Sequence, residues 1–287
     1  MPAPTADANE LTDILELERI ELDMFRGFTP PEERSRIYGG QVVAQALTAA
    51  YHTIEGRLCA SLHAYFIRPG DPSIPVMYMV ERVRDGGSFS VRRVIAVQNG
   101  AQIFNLAATF QVDEDGFEHQ SVMPKVPAPE DLLNEEQLRD AAGVPPQPGR
   151  RLWPVEVRPV DPVPHGDMTP REVENAVWFK SRQPVRPDIP ANQCALAYAS
   201  DMTLLDASLR PHPVNWDSGG MQVASLDHAL WFHRASDFGD WHLYVMDSPS
   251  ASSGRGFNRG LIYARDGRLV ASAAQDGLIR YRPKKKA

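Results

Sequence analysis

The chain carries one pattern twice, about 165 residues apart, and no other feature narrows its architecture as far. The first copy runs Ser61-Leu62-His63-Ala64-Tyr65-Phe66, then Val76 to Val80 and a Gly86-Gly87-Ser88-Phe89 turn. It continues with Val91 to Gln98, an Asn99-Gly100 turn and Ala101 to Gln111. The second runs Ser225-Leu226-Asp227-His228-Ala229-Leu230-Trp231-Phe232, then Trp241 to Val245 and Gly254-Arg255-Gly256-Phe257. It closes with Arg259 to Arg265, an Asp266-Gly267 turn and Arg268 to Ile279. Two such halves predict two copies of one small fold packed together, with a cleft at their joint.

Each half reads as a helix followed by an antiparallel meander, an α+β unit whose sheet wraps its helix. In the first half the apolar spacing predicts helices over Leu11–Leu22 and Gln41–Thr53. Strand-like runs follow at Leu58–Arg68, Val76–Val83, Ser90–Gln98 and Ala101–Val112, with Asn99-Gly100 as the strongest hairpin signal. In the second half a helix is expected over Ala191–Leu209 and strands over Met221–Phe232, Trp241–Asp247, Phe257–Tyr263 and Leu269–Arg280. Between them, Asp113 to Pro190 holds fourteen of the 25 prolines, which points to a long linker. It contains a short helix, Glu130–Ala142, and short strands at Trp153–Val157 and Asn175–Lys180. The expected units are 1–112, a proline-rich linker 113–170, and 171–287.

Composition removes several function classes. A net charge of −7 argues against a general nucleic-acid binder, which needs a basic stripe. The two cysteines, Cys59 and Cys194, lie one per half in apolar stretches, so neither a disulfide framework nor a thiolate metal site is expected. No apolar run approaches bilayer length, and the first ten residues have neither a basic n-region nor an apolar core. No membrane partner and a cytoplasmic location are the expectations.

Asp201 is out of place. On a helix over Ala191–Leu209 it shares a face with Ala197, Tyr198, Leu204 and Leu205, which puts a carboxylate on the stripe meant for burial. Desolvation there raises a carboxyl pKa and makes a candidate general base; the alternative is an Asp at the rim, or one capping a break after Ser200. Ser225 and Gln275 fall on apolar strand faces, where a hydroxyl or amide is commonly a satisfied core group. With Asp201 they also suffice to hold a water. Gly39-Gly40 before Gln41 allows either close helix packing or backbone N–H donation to an oxyanion.

Other patterns carry less. Ser225, Asp227 and His228 look like a triad, but neighbours on one strand point to opposite faces and no Gly-x-Ser-x-Gly elbow surrounds any serine. His228 and His233 lack a third ligand, so no metal site is expected there, and aromatic packing beside Trp231 and Phe232 accounts for them. Gly254-x-Gly256-x-x-x-Gly260 misses the dinucleotide fingerprint by one residue.

Five segments taken together resemble the acyl-CoA thioesterase II family, built as a double hotdog. They are Tyr38 to Leu47, His63 to Asp71, Arg84 to Arg93, Leu226 to Arg234 and Ala271 to Gly277, and they span both halves in order. The resemblance implies hydrolysis of fatty acyl-CoA to free acid and CoA, with no cofactor beyond the substrate's own CoA. It places the catalytic carboxylate, hydroxyl and amide on Asp201, Ser225 and Gln275. Ser225 stands where the family usually has Thr, so the hydroxyl is kept without the methyl that stiffens χ1. Oxyanion donors are expected at Gly40 and Gln41. Arg92, Arg93, Arg255 and Arg259 are candidates for the CoA phosphates because they flank equivalent turns. The resemblance also implies a homo-oligomer of double hotdogs.

All three catalytic candidates lie in the second copy, and the first has Ala108 near the place of Gln275. Rival readings are an acyl-CoA-binding regulator without turnover and a hotdog hydratase or dehydratase. The latter normally needs a His on the active helix, and Ala191–Leu209 contains none.

Overall fold

Two buried helices organise the chain. In this computed structural model, which describes residues 11–30, 35–144, 153–216 and 218–282, α2 spans Gly39–Tyr51 and α4 spans Ile189–Ser200. The segment 1–10, where a leader was sought, and part of the proline-rich stretch lie outside those residues. Helix α4 starts where sequence chemistry dictates: the Asp188 carboxylate accepts the Ala191 N–H at 2.8 Å and Pro190 sits in the first turn. Every residue from Ala191 to Ser200 is buried, and α2 is buried from Gly40 to Leu47. A helix buried on all sides must be wrapped on all sides.

One antiparallel sheet does the wrapping. Its strands are β1 (Glu18–Glu21), β2 (Met24–Gly27), β3 (Leu58–Phe66), β4 (Val76–Asp85), β5 (Phe89–Gln98) and β6 (Ala101–Gln111) from the first half. The second half adds β7 (Val155–Pro159), β8 (Asn175–Ser181), β9 (Met221–Ser225), β10 (Asp227–Phe232), β11 (His242–Ser252), β12 (Arg255–Ala264) and β13 (Leu269–Tyr281). The order is β1-β2-β4-β5-β6-β3-β10-β13-β12-β11-β8-β7, with β9 on β13. The halves join at β3–β10, where Leu62 faces Leu230. Leu62 pairs on its other side with Ala108, and Leu230 with Ala273, so the two halves present matching registers to the seam.

Beneath the seam the helices lie antiparallel. At one end Tyr38, before α2, donates its hydroxyl to the Tyr198 carbonyl of α4 at 3.0 Å. At the other, the Tyr51 hydroxyl bonds Gln193 Oε1, and the Gln193 amide donates to the Cys59 carbonyl at 3.0 Å. Small residues allow this approach: Ala44, Ala46, Ala195, Ala197 and Ala199 are fully or almost fully buried.

Three elements differ from the sequence expectation. The first helix, α1, stops at Leu15, because Glu18–Glu21 folds as a hairpin on β2 around Asp23 at φ 59°. The helix expected over Ala191–Leu209 ends at Ser200; Thr203 takes φ 61° in the turn, and a separate α5 covers Asp206–Leu209. The strand expected over Met221–Phe232 breaks at Leu226, whose N–H donates to Asp276 and whose carbonyl accepts from Phe66. The proline-rich stretch straps the second half: Met123, Val126, Leu132 and Val160 cover Trp178, Trp241, Leu243 and Tyr263. Trp178 Nε1 donates to the Pro127 carbonyl at 2.9 Å. Within that stretch β7 pairs with β8, and α3 (Glu135–Ala141) starts at a capping box of Asn134 and Gln137.

Arg92 ties α2 to the β4–β5 hairpin. Only 2% exposed, it donates to Thr53 Oγ1 (2.8 Å), the carbonyls of Thr53, Arg84 and Val91, and Asp85 Oδ1 (2.7 Å). Arg92→Met leaves the Thr53, Arg84 and Val91 acceptors without their donor, while Asp85 stays solvated, and is expected to lower stability by roughly 1–3 kcal/mol in urea unfolding. Gly40 tests the helix contact, since a Cβ there would lie 2.2 Å from the Tyr198 carbonyl oxygen and 2.6 Å from the Tyr38 ring. Gly40→Ala is expected to cost about 1–3 kcal/mol, read as a lower Tm.

Candidate active site

The end of α4 carries the carboxylate. Asp201 is its C-cap residue, so the break after Ser200 brings it out of the apolar stripe and into the space between the two helices. Ser225 Oγ donates to Asp201 Oδ1 at 3.0 Å, and Gln275 Nε2 donates to Ser225 Oγ at 2.9 Å. The three residues singled out in the sequence therefore meet, contributed by α4, β9 and β13. Gln275 reaches inward because it alternates with Ala271 and Ala273 on the buried face of β13.

Asp201 keeps some surface in contact with solvent, yet its carboxyl lies among buried groups and burial raises its pKa above the ordinary carboxylate range. The His228 ring, the Ser225 hydroxyl, the Gln275 amide and the Gly40 N–H oppose that shift. Its position at the negative end of α4 disfavours the charge further, while the positive end of α2 lies opposite and favours it.

His228 and Ser200 belong to the same constellation, although sequence reasoning set His228 aside as aromatic packing. His228 is fully buried, with Nδ1 2.6 Å from Gln275 Oε1 and Nε2 2.8 Å from Ser200 Oγ. Tyr244 of β11 holds the Ser200 carbonyl with its hydroxyl at 2.9 Å. On an unbroken strand Ser225 and His228 would face opposite sides; the break at Leu226 lets both reach Gln275. The ring partner of Trp231 is instead His63, edge-on at 5.1 Å. A sequence signal existed: a histidine inside an alternating apolar strand, in step with Leu230, belongs to the core face.

The expected oxyanion donors are engaged within the protein. The Gly40 N–H bonds the Asp201 carboxylate, and the Gln41 N–H closes a turn on the Tyr38 carbonyl at 3.2 Å. The Gln41 side chain points to Thr29 Oγ1 at 2.9 Å. Arg92 is corrected from a phosphate ligand to a buried structural tie. Arg93, Arg255 and Arg259 are exposed and paired with Glu81, Asp276 and Asp247, and none of them reaches Asp201, Ser225 or Gln275. The first-half counterpart of Gln275 is also corrected. Gln275, paired with Asn258, lies two residues beyond Ala273 on β13, and the position two residues beyond the matching Ala108 on β6 is Phe110, paired with Ser90. Phe110 packs edge-on against Tyr51 at 5.1 Å, and that end of the helix pair is filled.

Known proteins place this geometry. Residues 29–111 match the family described as acyl-CoA thioesterase N-terminal domain, and residues 149–278 match acyl-CoA thioesterase. The chain is 41% identical over 281 residues to acyl-CoA thioesterase 2 of Haemophilus influenzae, covering 95% of this chain and 98% of that protein. It superposes on an acyl-CoA thioesterase II from Mycobacterium marinum with TM-score 0.78 and 39% identity, over 94% of this chain and 98% of that one. A protein from Alicyclobacillus acidocaldarius described as having a hot dog fold gives TM-score 0.77 at 21% identity, over 94% and 97% of the two chains, a likeness of fold alone. A 41% identical relative covering almost the whole chain, together with matches on both halves, assigns the protein: it belongs to the acyl-CoA thioesterase family.

Proposed function

We propose that the chain hydrolyses fatty acyl-CoA to free acid and CoA at Asp201, Ser225 and Gln275, inside a double hotdog derived from an internal duplication. The observation that carries the reading is the relay of Gln275 Nε2 to Ser225 Oγ and Ser225 Oγ to Asp201 Oδ1. A carboxylate, a hydroxyl and an amide within hydrogen-bond distance of one another hold a water by both its proton and its lone pair. Asp201 accepts the proton as the water oxygen attacks the thioester carbonyl, and CoA thiolate leaves. A raised pKa suits that role, because a more basic carboxylate takes the proton more readily.

Proton transfer also shifts negative charge from the Asp201 carboxylate to the carbonyl oxygen. The Gly40 N–H, held by the carboxylate at rest, is the donor placed to follow that charge, at the positive end of α2. Ser225 Oγ stays fixed by two partners, which compensates for the methyl a threonine would add.

Asp201→Asn is expected to lower kcat for CoA release, followed by thiol detection over acyl-CoAs of several chain lengths, on the order of 10²–10⁴-fold. Equal, slow release by the wild type and the variant overturns the hydrolase reading in favour of a binding protein. Stability moves the other way. A carboxyl whose folded pKa is raised favours folding only while protonated, and that contribution is lost as pH rises through the folded value. Asp201→Asn therefore raises Tm at pH 8, and the gain vanishes below the ordinary carboxylate range, where both states are protonated. Single-turnover hydrolysis in ¹⁸O-labelled water checks the attacking atom: label is expected in the released acid, and label in the protein carboxylate overturns the water mechanism.

A further inference from the structure

We infer that His228 is a positioning residue for this reaction, one that fixes which way round the Gln275 amide is presented; the inference rests on the reading of Asp201, Ser225 and Gln275 just given. A primary amide has two ends of almost equal shape, and rotation about its last bond exchanges oxygen for nitrogen. At Gln275 the exchange decides the chemistry. With the nitrogen toward Ser225, the amide donates to Ser225 Oγ at 2.9 Å and also stabilises the Asp201 carboxylate. With the oxygen there, an acceptor faces two groups rich in lone pairs, and the donor is lost from the site.

The other end of the amide meets His228. Gln275 Oε1 lies 2.6 Å from His228 Nδ1, and an amide oxygen only accepts, so the proton of that contact sits on Nδ1. A reversed amide would set its NH₂ against this N–H, two donors face to face among groups that are at most 1% exposed. The constraint requires the Nδ1–H; a neutral ring protonated on Nε2 alone would accept from a reversed amide instead, and that is the state the ¹⁵N measurement below tests for. The ring is itself held: Nε2 lies 2.8 Å from Ser200 Oγ, and the Ser200 carbonyl accepts from Tyr244. Because Ser200 precedes Asp201 in the chain, the contacts close a loop through Asp201, Ser225, Gln275, His228 and Ser200. The catalytic carboxylate and the group that orients the amide are thereby set by one helix end.

The test is a double-mutant cycle on acyl-CoA hydrolysis with kcat and KM read separately. His228→Leu, which removes the donor, is expected to lower kcat on the order of 10–100-fold with KM within about threefold. His228→Asn restores a donor near the Nδ1 position and is expected to recover most of that loss. In a Gln275→Met background His228→Leu should cost less than about twofold, since its action passes through the amide. Losses that multiply across the cycle, or a Leu variant with unchanged kcat while Gln275→Met is impaired, overturn the positioning role and leave the hydrolase reading standing. An unimpaired Gln275→Met overturns the reading beneath it. A measurement on the unmutated protein covers the case in which His228→Leu does not fold. The ¹⁵N spectrum of labelled histidine is expected to show the His228 Nδ1 protonated, with its signal shifted in Gln275→Met. An Nδ1 without its proton overturns the proposal.

Discussion

The antiparallel docking of α2 and α4 is the contact on which the rest depends. Each helix is too apolar to face water, and their small residues let two backbones lie close enough that one sheet can wrap both. The direction matters as much as the contact. Antiparallel axes bring the start of one helix to the end of the other, so the Gly40 N–H of the first half meets the Asp201 carboxylate of the second. Parallel helices would have put Asp201 against another negative helix end. Both seam strands, β3 and β10, lie against α4, while α2 packs on β4, β5 and β6.

A carboxylate in such a place is expensive to ionise, and the surroundings reduce that cost without removing it. Ser225, Gln275, Gly40 and His228 all lower the pKa of Asp201, yet burial outweighs them. The result is a base stronger than a surface aspartate, set by burial against hydrogen-bond donors and helix dipoles. The order of the contacts explains why none of the donors is free to turn away. Ser225 has a partner on each side, Gln275 has one at each end, and His228 bridges back to the residue before Asp201. Polar networks whose members are all hydrogen-bonded specify one arrangement.

Much of this was legible in the residues. Strands β4, β5, β6, β11, β12 and β13 appear where alternation and turn glycines put them. The wrong-face position of Asp201 was a real signal, although its cause differed: the helix ends there, so the residue that looked misplaced is a cap. The break after Ser200 is the alternative the sequence left open for Asp201, whereas the second, at Leu226, escaped because no Gly or Pro marks it; tertiary partners make both, the Ser200 partners at the helix end and the Phe66 and Asp276 backbones at Leu226. Missing the second break hid His228, since a straight strand turns it away from Ser225. Arg92 was misjudged for a related reason. Flanking a turn fixes where a residue sits along a strand, whereas the face it takes decides whether it is buried like Arg92 or paired outside like Arg259.

The β3–β10 seam has a consequence for each half in isolation. Cut there, the sheet leaves a five-residue row of unpaired backbone donors and acceptors on each side, and beside it a helix stripped of its partner. A solitary half would thus present a sticky edge whose best complement is another copy of itself. Joining the halves in one polypeptide supplies that complement at fixed, high effective concentration. The two ends of the helix pair can then differ: Tyr51 and Phe110 close one, and Asp201 occupies the other.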